Sequence, residues 1–207
     1  MIVSQLSFAR QQQPPLFEQL SFTLSPGELL CIEGVNGSGK SSLLRILAGL
    51  MQPNTGDICW QGVSIHHPLA LFKTQMHYVG HANGIKLDLT VNENLRLTNA
   101  LSTALASQET LSLLKQLQLH TQQQTLARYL SAGQKRRLAL AKLWLTSKKL
   151  WLLDEPLTAL DANTQTFFLA QLTQHLQQGG MAIMSSHQPI RLATNVQQKT
   201  IRLSVCG

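Results

Sequence analysis

Leu29-Leu30-Cys31-Ile32-Glu33-Gly34-Val35-Asn36-Gly37-Ser38-Gly39-Lys40-Ser41-Ser42-Leu43-Leu44 is the stretch that decides the fold. Its apolar opening, Leu29 to Ile32, predicts a short buried strand. From Ser41 onward Leu43, Leu44, Leu47 and Leu50 recur at helical spacing. Between strand and helix, Gly34 to Ser41 fits G-x-x-x-x-G-K-[ST]. Glycine lets such a loop curl until successive backbone N–H groups point inward at phosphate oxygens, and the helix beginning near Lys40 adds its positive end. Chance would produce this pattern in a chain of this length on the order of one time in a hundred. Gly34, Val35, Asn36, Gly37, Ser38, Gly39, Lys40, Ser41 and Ser42 are therefore the expected nucleotide-binding residues. Lys40 is expected to reach the β- and γ-phosphates and Ser41 to ligate Mg²⁺.

Working outward, Phe17 to Leu24 alternates with period two, so a half-buried strand precedes the turn at Pro26-Gly27. Residues from about Thr90 to Leu145 read mostly as helix. An apolar strand over Leu150 to Leu153 ends in Asp154-Glu155-Pro156, and a helix near Asn163 to Gln178 stops at Gly179-Gly180. A last apolar strand, Met181 to Ser185, runs into His187. Apolar strands alternating with helices predict an α/β fold with a largely parallel sheet and an inserted helical part. No internal repeat or long linker divides the 207 residues, so one domain is expected, with a helical subdomain over about 87–146.

Composition excludes several classes. With 43% hydrophobic and 13% charged residues the chain reads as globular, not disordered. No apolar run reaches the roughly 18 residues that span a bilayer, and the opening residues lack a secretory signal, so a cytoplasmic location is expected. Cys31, Cys59 and Cys206 are odd in number and far apart, which argues against disulfides or a zinc site. The net charge of +7 suits nucleic acid, anionic membrane or phosphate ligands alike. Only 5% of residues are aromatic, however, and none is interleaved with a basic run, so nucleic acid is not the expected partner.

The remaining chemistry lies beyond the first loop. Asp154, at the tip of a buried strand, suits a hydrated Mg²⁺, and Glu155 beside it suits polarisation of an attacking water. Leu130-Ser131-Ala132-Gly133-Gln134 supplies a good N-cap in Ser131. This segment resembles the LSGGQ signature of ABC ATPases, with Ala132 in place of one glycine. Thr158-Ala159-Leu160-Asp161 resembles the family's D-loop and His187 its switch histidine, and the resemblance covers nearly the whole chain. It implies a P-loop NTPase with a RecA-like mixed-sheet core, an N-terminal antiparallel β part and the helical insertion. It further implies ATP and Mg²⁺ as ligands, Glu155 and His187 as catalytic residues, and a homodimer of ATPase subunits. In such a dimer Ser131, Gly133, Gln134 and Asp161 of one copy would meet the nucleotide of the other.

Two positions depart from the family. His81, after Tyr78-Val79-Gly80, stands where Gln is usual; it either hydrogen-bonds a metal-bound water or only packs. The aromatic that stacks on adenine is missing, with Arg10 as a possible substitute, because Phe8 and Phe17 read as strand or core residues. Trp60-Gln61-Gly62, His81 with Gly84-Ile85-Lys86, Lys135-Arg136-Arg137 after the signature, and Ser186-His187-Gln188-Pro189 resemble the ATP-binding subunits of bacterial cytochrome c maturation. That resemblance implies integral membrane partners of the CcmB and CcmC type, haem handled by those partners, and a peripheral place on the inner face of the inner membrane. An exporter of another substrate is the alternative; a soluble ABC ATPase is disfavoured because neither a second cassette nor a long coiled coil is present. His66-His67 reads as a solvated loop beside Pro68, and Lys135-Arg136-Arg137 as the polar face of the signature helix.

Overall fold

Alternation along the strands explains the layering seen in the structure, a computed structural model. It describes all residues except 12, 67–68, 100–106, 187–188, 191, 193–194 and 205–207. In chain order the elements are β1 (Ile2–Ala9), β2 (Pro15–Thr23), β3 (Glu28–Glu33), α1 (Lys40–Leu47), β4 (Thr55–Trp60), β5 (Val63–Ser64) and α2 (Leu69–Gln75). There follow β6 (Met76–Val79), α3 (Val91–Asn99), α4 (Ser107–Gln116), α5 (Ala132–Trp144), β7 (Leu150–Asp154), α6 (Ala162–Gln177), β8 (Met181–Ser185) and β9 (Gln197–Arg202).

The mixture of parallel and antiparallel pairing expected of the core is divided between two sheets. One is antiparallel in the order β2-β1-β4-β5, and the other runs β6-β7-β8-β3-β9 with parallel pairing throughout. Leu30, Ile32, Leu150, Leu152 and Ile183 face one way, onto Leu43, Leu44, Ile46 and Leu47 of α1 and onto Val3, Leu6 and Ile58 of the antiparallel sheet. Leu29, Cys31, Trp151, Leu153, Ala182 and Met184 face the other way, onto α5 and α6. A strand buried on both faces needs a continuous apolar run, and Leu150–Leu153 supplies one.

Helix α5 belongs to two cores at once. Ala139, Leu140 and Leu143 pack on the parallel sheet. Leu138, Ala141 and Leu145 pack with Val91, Leu95, Leu113, Leu114 and Leu117 of the helical part. Between α4 and α5 the expected helix gives way to short 3₁₀ turns at His120–Gln122 and Ala127–Tyr129, pinned by an antiparallel bridge between Thr90 and Leu126. Leu50 also departs from expectation: the chain leaves α1 through Gly49, in left-handed backbone at φ +64°, and Leu50 is 51% exposed. At the other helix end foreseen, Gly179 takes φ +83° just past α6. Among the described residues no helix is long and apolar enough to cross a membrane, and no cluster of three or more His, Cys, Asp or Glu could hold a metal.

Candidate nucleotide site

The parallel register lines up the site. Ile32 of β3 pairs with Ser185 of β8, and Ser185 pairs with Asp154 of β7. At normal strand spacing this puts the start of the glycine loop about 10 Å from Asp154, with Ser185 between them. All three strands end here, the edge at which open α/β sheets bind ligands.

The loop from Gly34 to Gly39 runs directly into α1, whose N-cap, Gly39, takes φ +98°. A side chain on Gly34, at φ +154°, would meet Ser38 Oγ at 2.4 Å and the Leu203 carbonyl at 2.5 Å, so the curl closes tightly there. Val35, Asn36 and Gly37 form an exposed crest, while Ser38, Gly39 and Lys40 are buried. Lys40 Nζ donates to the carbonyls of Gly34 (2.7 Å) and Val35 (3.0 Å), folding the ammonium across its own loop. Ser38 Oγ is buried and has no hydrogen-bond partner among the described residues. An unmet buried hydroxyl beside a lysine bonded to carbonyls is a donor set that fits an anion. Ser41 is exposed in the first turn of α1, and Ser42 is buried.

Asp154 is 2% exposed, and its Oδ1 accepts from Ser185 Oγ at 2.8 Å. The same hydroxyl accepts from the Glu155 amide at 2.9 Å. Ser185 thus orients one carboxylate and fixes the backbone of the next residue. Glu155 itself has φ +48°, left-handed backbone that a side-chain-bearing residue seldom adopts, and Thr158 Oγ1 donates to its Oε2 at 3.5 Å. Asp154 and the Ser41 hydroxyl are hard oxygen donors of the kind that hold Mg²⁺ together with substrate phosphates.

The signature segment forms a complete capping box. Ser131 Oγ accepts from Gln134 N at 3.2 Å, and the Ser131 amide donates to Gln134 Oε1 at 2.8 Å. The Gln134 carboxamide is thereby engaged within its own helix end. Gly133 lies against the Ala159 carbonyl, which a Cβ would meet at 2.9 Å. Asp161 caps α6, accepting from Thr164 N at 2.9 Å, and lies 3.7 Å from Arg137. The Thr164 amide bond holds the Asp161 carboxyl below its ordinary value. These residues thus sit around the cap of α5 and the Ala159 turn, not in the Gly34–Ser42 loop. His81 is exposed just past β6. His187 and His67 lie outside the described residues.

Arg136 corrects the expectation of a polar face. It is 5% exposed, and its guanidinium donates to the carbonyls of Gly80, Asp154, Glu155 and Pro156 and to Asn83 Oδ1. Burial lowers its pKa from the ordinary arginine value, while the Asp154 and Glu155 carboxylates oppose that shift. Sequence reasoning missed Arg136, Asn83 and Ser185. A signal for Arg136 existed in Leu138-Ala139-Leu140-Ala141, an apolar run that leaves α5 no fully solvated face.

Residues 17–158 match the family model described as ABC transporter. The chain is 47% identical over 173 residues to the cytochrome c biogenesis ATP-binding export protein CcmA of Methylococcus capsulatus, covering 83% of this chain and 84% of that one. It is 39% identical over 205 residues to the protein of the same name from Escherichia coli O6:H1, covering 99% and 96%. A solved ATP-binding cassette, a dimer in a post-hydrolysis state bound to ADP and phosphate, superposes with a TM-score of 0.78 at 22% identity over 90% of this chain and 88% of that chain.

Proposed function

Given that the chain belongs to the ABC transporter family and, within it, to the CcmA-type ATP-binding subunits of cytochrome c biogenesis, we propose how its residues bind and hydrolyse ATP for that machine. The observation that carries the reading is the loop at Gly34–Ser41. It combines a tight curl at Gly34, a Ser38 hydroxyl unmet among the described residues and a Lys40 ammonium bonded to the Gly34 and Val35 carbonyls. Triphosphate entering the loop takes Lys40 from the Gly34 and Val35 carbonyls and gives Ser38 Oγ its acceptor. Ser42 and the remaining loop residues, Val35, Asn36, Gly37 and Gly39, shape the cradle.

Ser41 and Asp154 would hold Mg²⁺, which when bound neutralises charge on the β- and γ-phosphates. Glu155 accepts a proton from water as the water oxygen bonds to the γ-phosphorus. The bond from that phosphorus to the β–γ bridging oxygen breaks, and ADP leaves with the electron pair. His187 is assigned a catalytic role as the switch histidine, and His81 would hydrogen-bond a metal-bound water.

Ser131 is exposed at the start of α5, with the helix's positive end behind it. We assign it, with Gly133, Gln134 and Asp161, to the nucleotide held by a second copy of the chain in a head-to-tail homodimer. The cassette that superposes on this chain was itself solved as a dimer, which supports that reading. Residues 87–146 act as the helical subdomain of a single ATP-binding domain. The partners are integral membrane subunits of the CcmB and CcmC type at the inner face of the inner membrane, and they, not this chain, handle haem.

Glu155→Gln tests the mechanism. It should retain ATP binding, lose turnover by about 10²–10⁴-fold, and accumulate as an ATP-bound dimer in size-exclusion chromatography. Turnover at the wild-type rate in that variant would remove Glu155 from the role of base.

A further inference from the structure

A buried cation is expensive unless its surroundings answer it, and Arg136 is answered by oxygens from two separate segments, Gly80–Asn83 and Asp154–Pro156. Nη1 donates to the Gly80 carbonyl at 2.9 Å and to Asn83 Oδ1 at 3.0 Å. Nη2 donates to the carbonyls of Asp154 (2.5 Å) and Glu155 (2.8 Å), and Nε to that of Pro156 (3.4 Å). The three last carbonyls are consecutive in sequence. In an extended strand successive carbonyls point to opposite sides, so their convergence on one planar fork requires the chain to curl at once after β7. The curl is visible at Glu155, in left-handed backbone at φ +48°.

Glu155 is therefore gripped on both sides of its Cα. Its amide is held by Ser185, a residue of the sheet. Its carbonyl is held by Arg136, a residue of the signature helix. We propose that Arg136 is a positioning residue for hydrolysis, whose guanidinium makes the aim of the Glu155 carboxylate depend on where α5 stands and ties both to the Gly80–Asn83 segment behind His81. The proposal rests on Glu155 being the group that activates water. Lysine offers a point charge and not a fork, so it cannot reproduce the five bonds.

The test uses the full chain co-purified with its membrane partners, comparing wild type, Arg136→Lys, Asn83→Ala and Arg136→Lys combined with Glu155→Gln. Arg136→Lys should lower kcat by about 10–100-fold, the consequence of a carboxylate misplaced by about 1 Å. KM, and the Kd measured with a fluorescent ATP analogue, should change by less than about threefold. In the Glu155→Gln background the same substitution should change residual turnover by less than about threefold, because no base remains to be aimed. Asn83→Ala, which removes one of the bonds and spares the rest, should lower kcat by about two- to fivefold. A wild-type kcat in Arg136→Lys overturns the proposal. So does an equal loss with and without Glu155, or a loss of nucleotide affinity in step with turnover. If circular dichroism shows that Arg136→Lys does not fold, Asn83→Ala decides, and an unchanged kcat there overturns the proposal as well. Failure of the Glu155 assignment itself is seen separately, as wild-type turnover in Glu155→Gln alone.

Discussion

Replacing Ser185 by Ala removes one oxygen that closes two hydrogen bonds where water has no access. Ser185 is 0% exposed, and its Oγ donates to Asp154 Oδ1 at 2.8 Å while accepting from Glu155 N at 2.9 Å. A bond to an ionised group contributes about 1.5–3 kcal/mol, and a buried amide left unmet costs about 1–3 kcal/mol. The two are adjacent and do not add fully, so the expected loss of stability is about 2–4 kcal/mol. For a chain of this size that lowers the unfolding midpoint by about 4–16 °C. A second effect follows if Asp154 holds Mg²⁺. Loss of the hydrogen bond that orients a ligating carboxylate typically weakens metal binding by about 10–100-fold, so half-maximal ATPase activity should require that much more Mg²⁺. Urea unfolding without nucleotide reads the first effect, and ATPase rates titrated with Mg²⁺ read the second. A stability loss under about 0.5 kcal/mol with an unchanged Mg²⁺ requirement would refute the reasoning. A stability loss alone would reduce Ser185 to a support of the sheet.

Gly34→Ala should jam the loop. Ser38 can rotate away from the new methyl, but the Leu203 carbonyl at 2.5 Å cannot, because Leu203 N is bonded to the Glu33 carbonyl at 2.8 Å. ATP affinity should fall by at least about tenfold, equivalent to about 1.4 kcal/mol; an unchanged Kd for an ATP analogue would show that the curl is not needed. His77 should make the folded state acid-sensitive. Burial, then Lys142 and Lys148, push its pKa down to about 4 from 6.5. Between those values the unfolded chain binds a proton that the folded chain refuses, so stability is full above about pH 6.5 and declines toward about pH 4. The loss amounts to as much as about 3 kcal/mol. His77→Gln should flatten that slope in urea midpoints taken across the range, and an undiminished slope would assign the acid sensitivity elsewhere.

What the sequence made legible was local. Gly34 to Ser41 could be read because the loop, its strand and its helix are contiguous, so the motif carries its own context. Ser131 was readable as an N-cap for the same reason, since a capping box is closed within three residues, by Gln134. Arg136 and Ser185 were not legible, because their roles depend on partners 18 to 56 and 30 to 31 positions away. Gln134 and Asp161 show the converse difficulty. Their types suit both a nucleotide contact and a helix cap, and the structure engages both in caps. The end of α1 escaped the pattern at Leu50 because periodicity extends an apolar stripe past Gly49, where left-handed backbone has already turned the chain away.

The arrangement around α5 also bears on the proposed dimer. Ser131, at the exposed start of α5, is what this chain would offer to a second molecule in the proposed dimer. One turn later the same helix holds the Glu155 carbonyl through Arg136, and Gly133 seats the Ala159 carbonyl so closely that no side chain fits between. Ala159 and Glu155 both sit in left-handed backbone, at φ +62° and +48°, and Thr158 between them bonds back to Glu155. Turns of this kind persist only where their surroundings over-determine them. Helix α5 is itself fixed by two cores, one on the sheet and one in the helical part. Ser131 and the Glu155 turn are thus joined through one helix and the Arg136 hydrogen bonds. If Ser131 meets a second copy as proposed, a contact made there would bear on the Glu155 turn through this one helix.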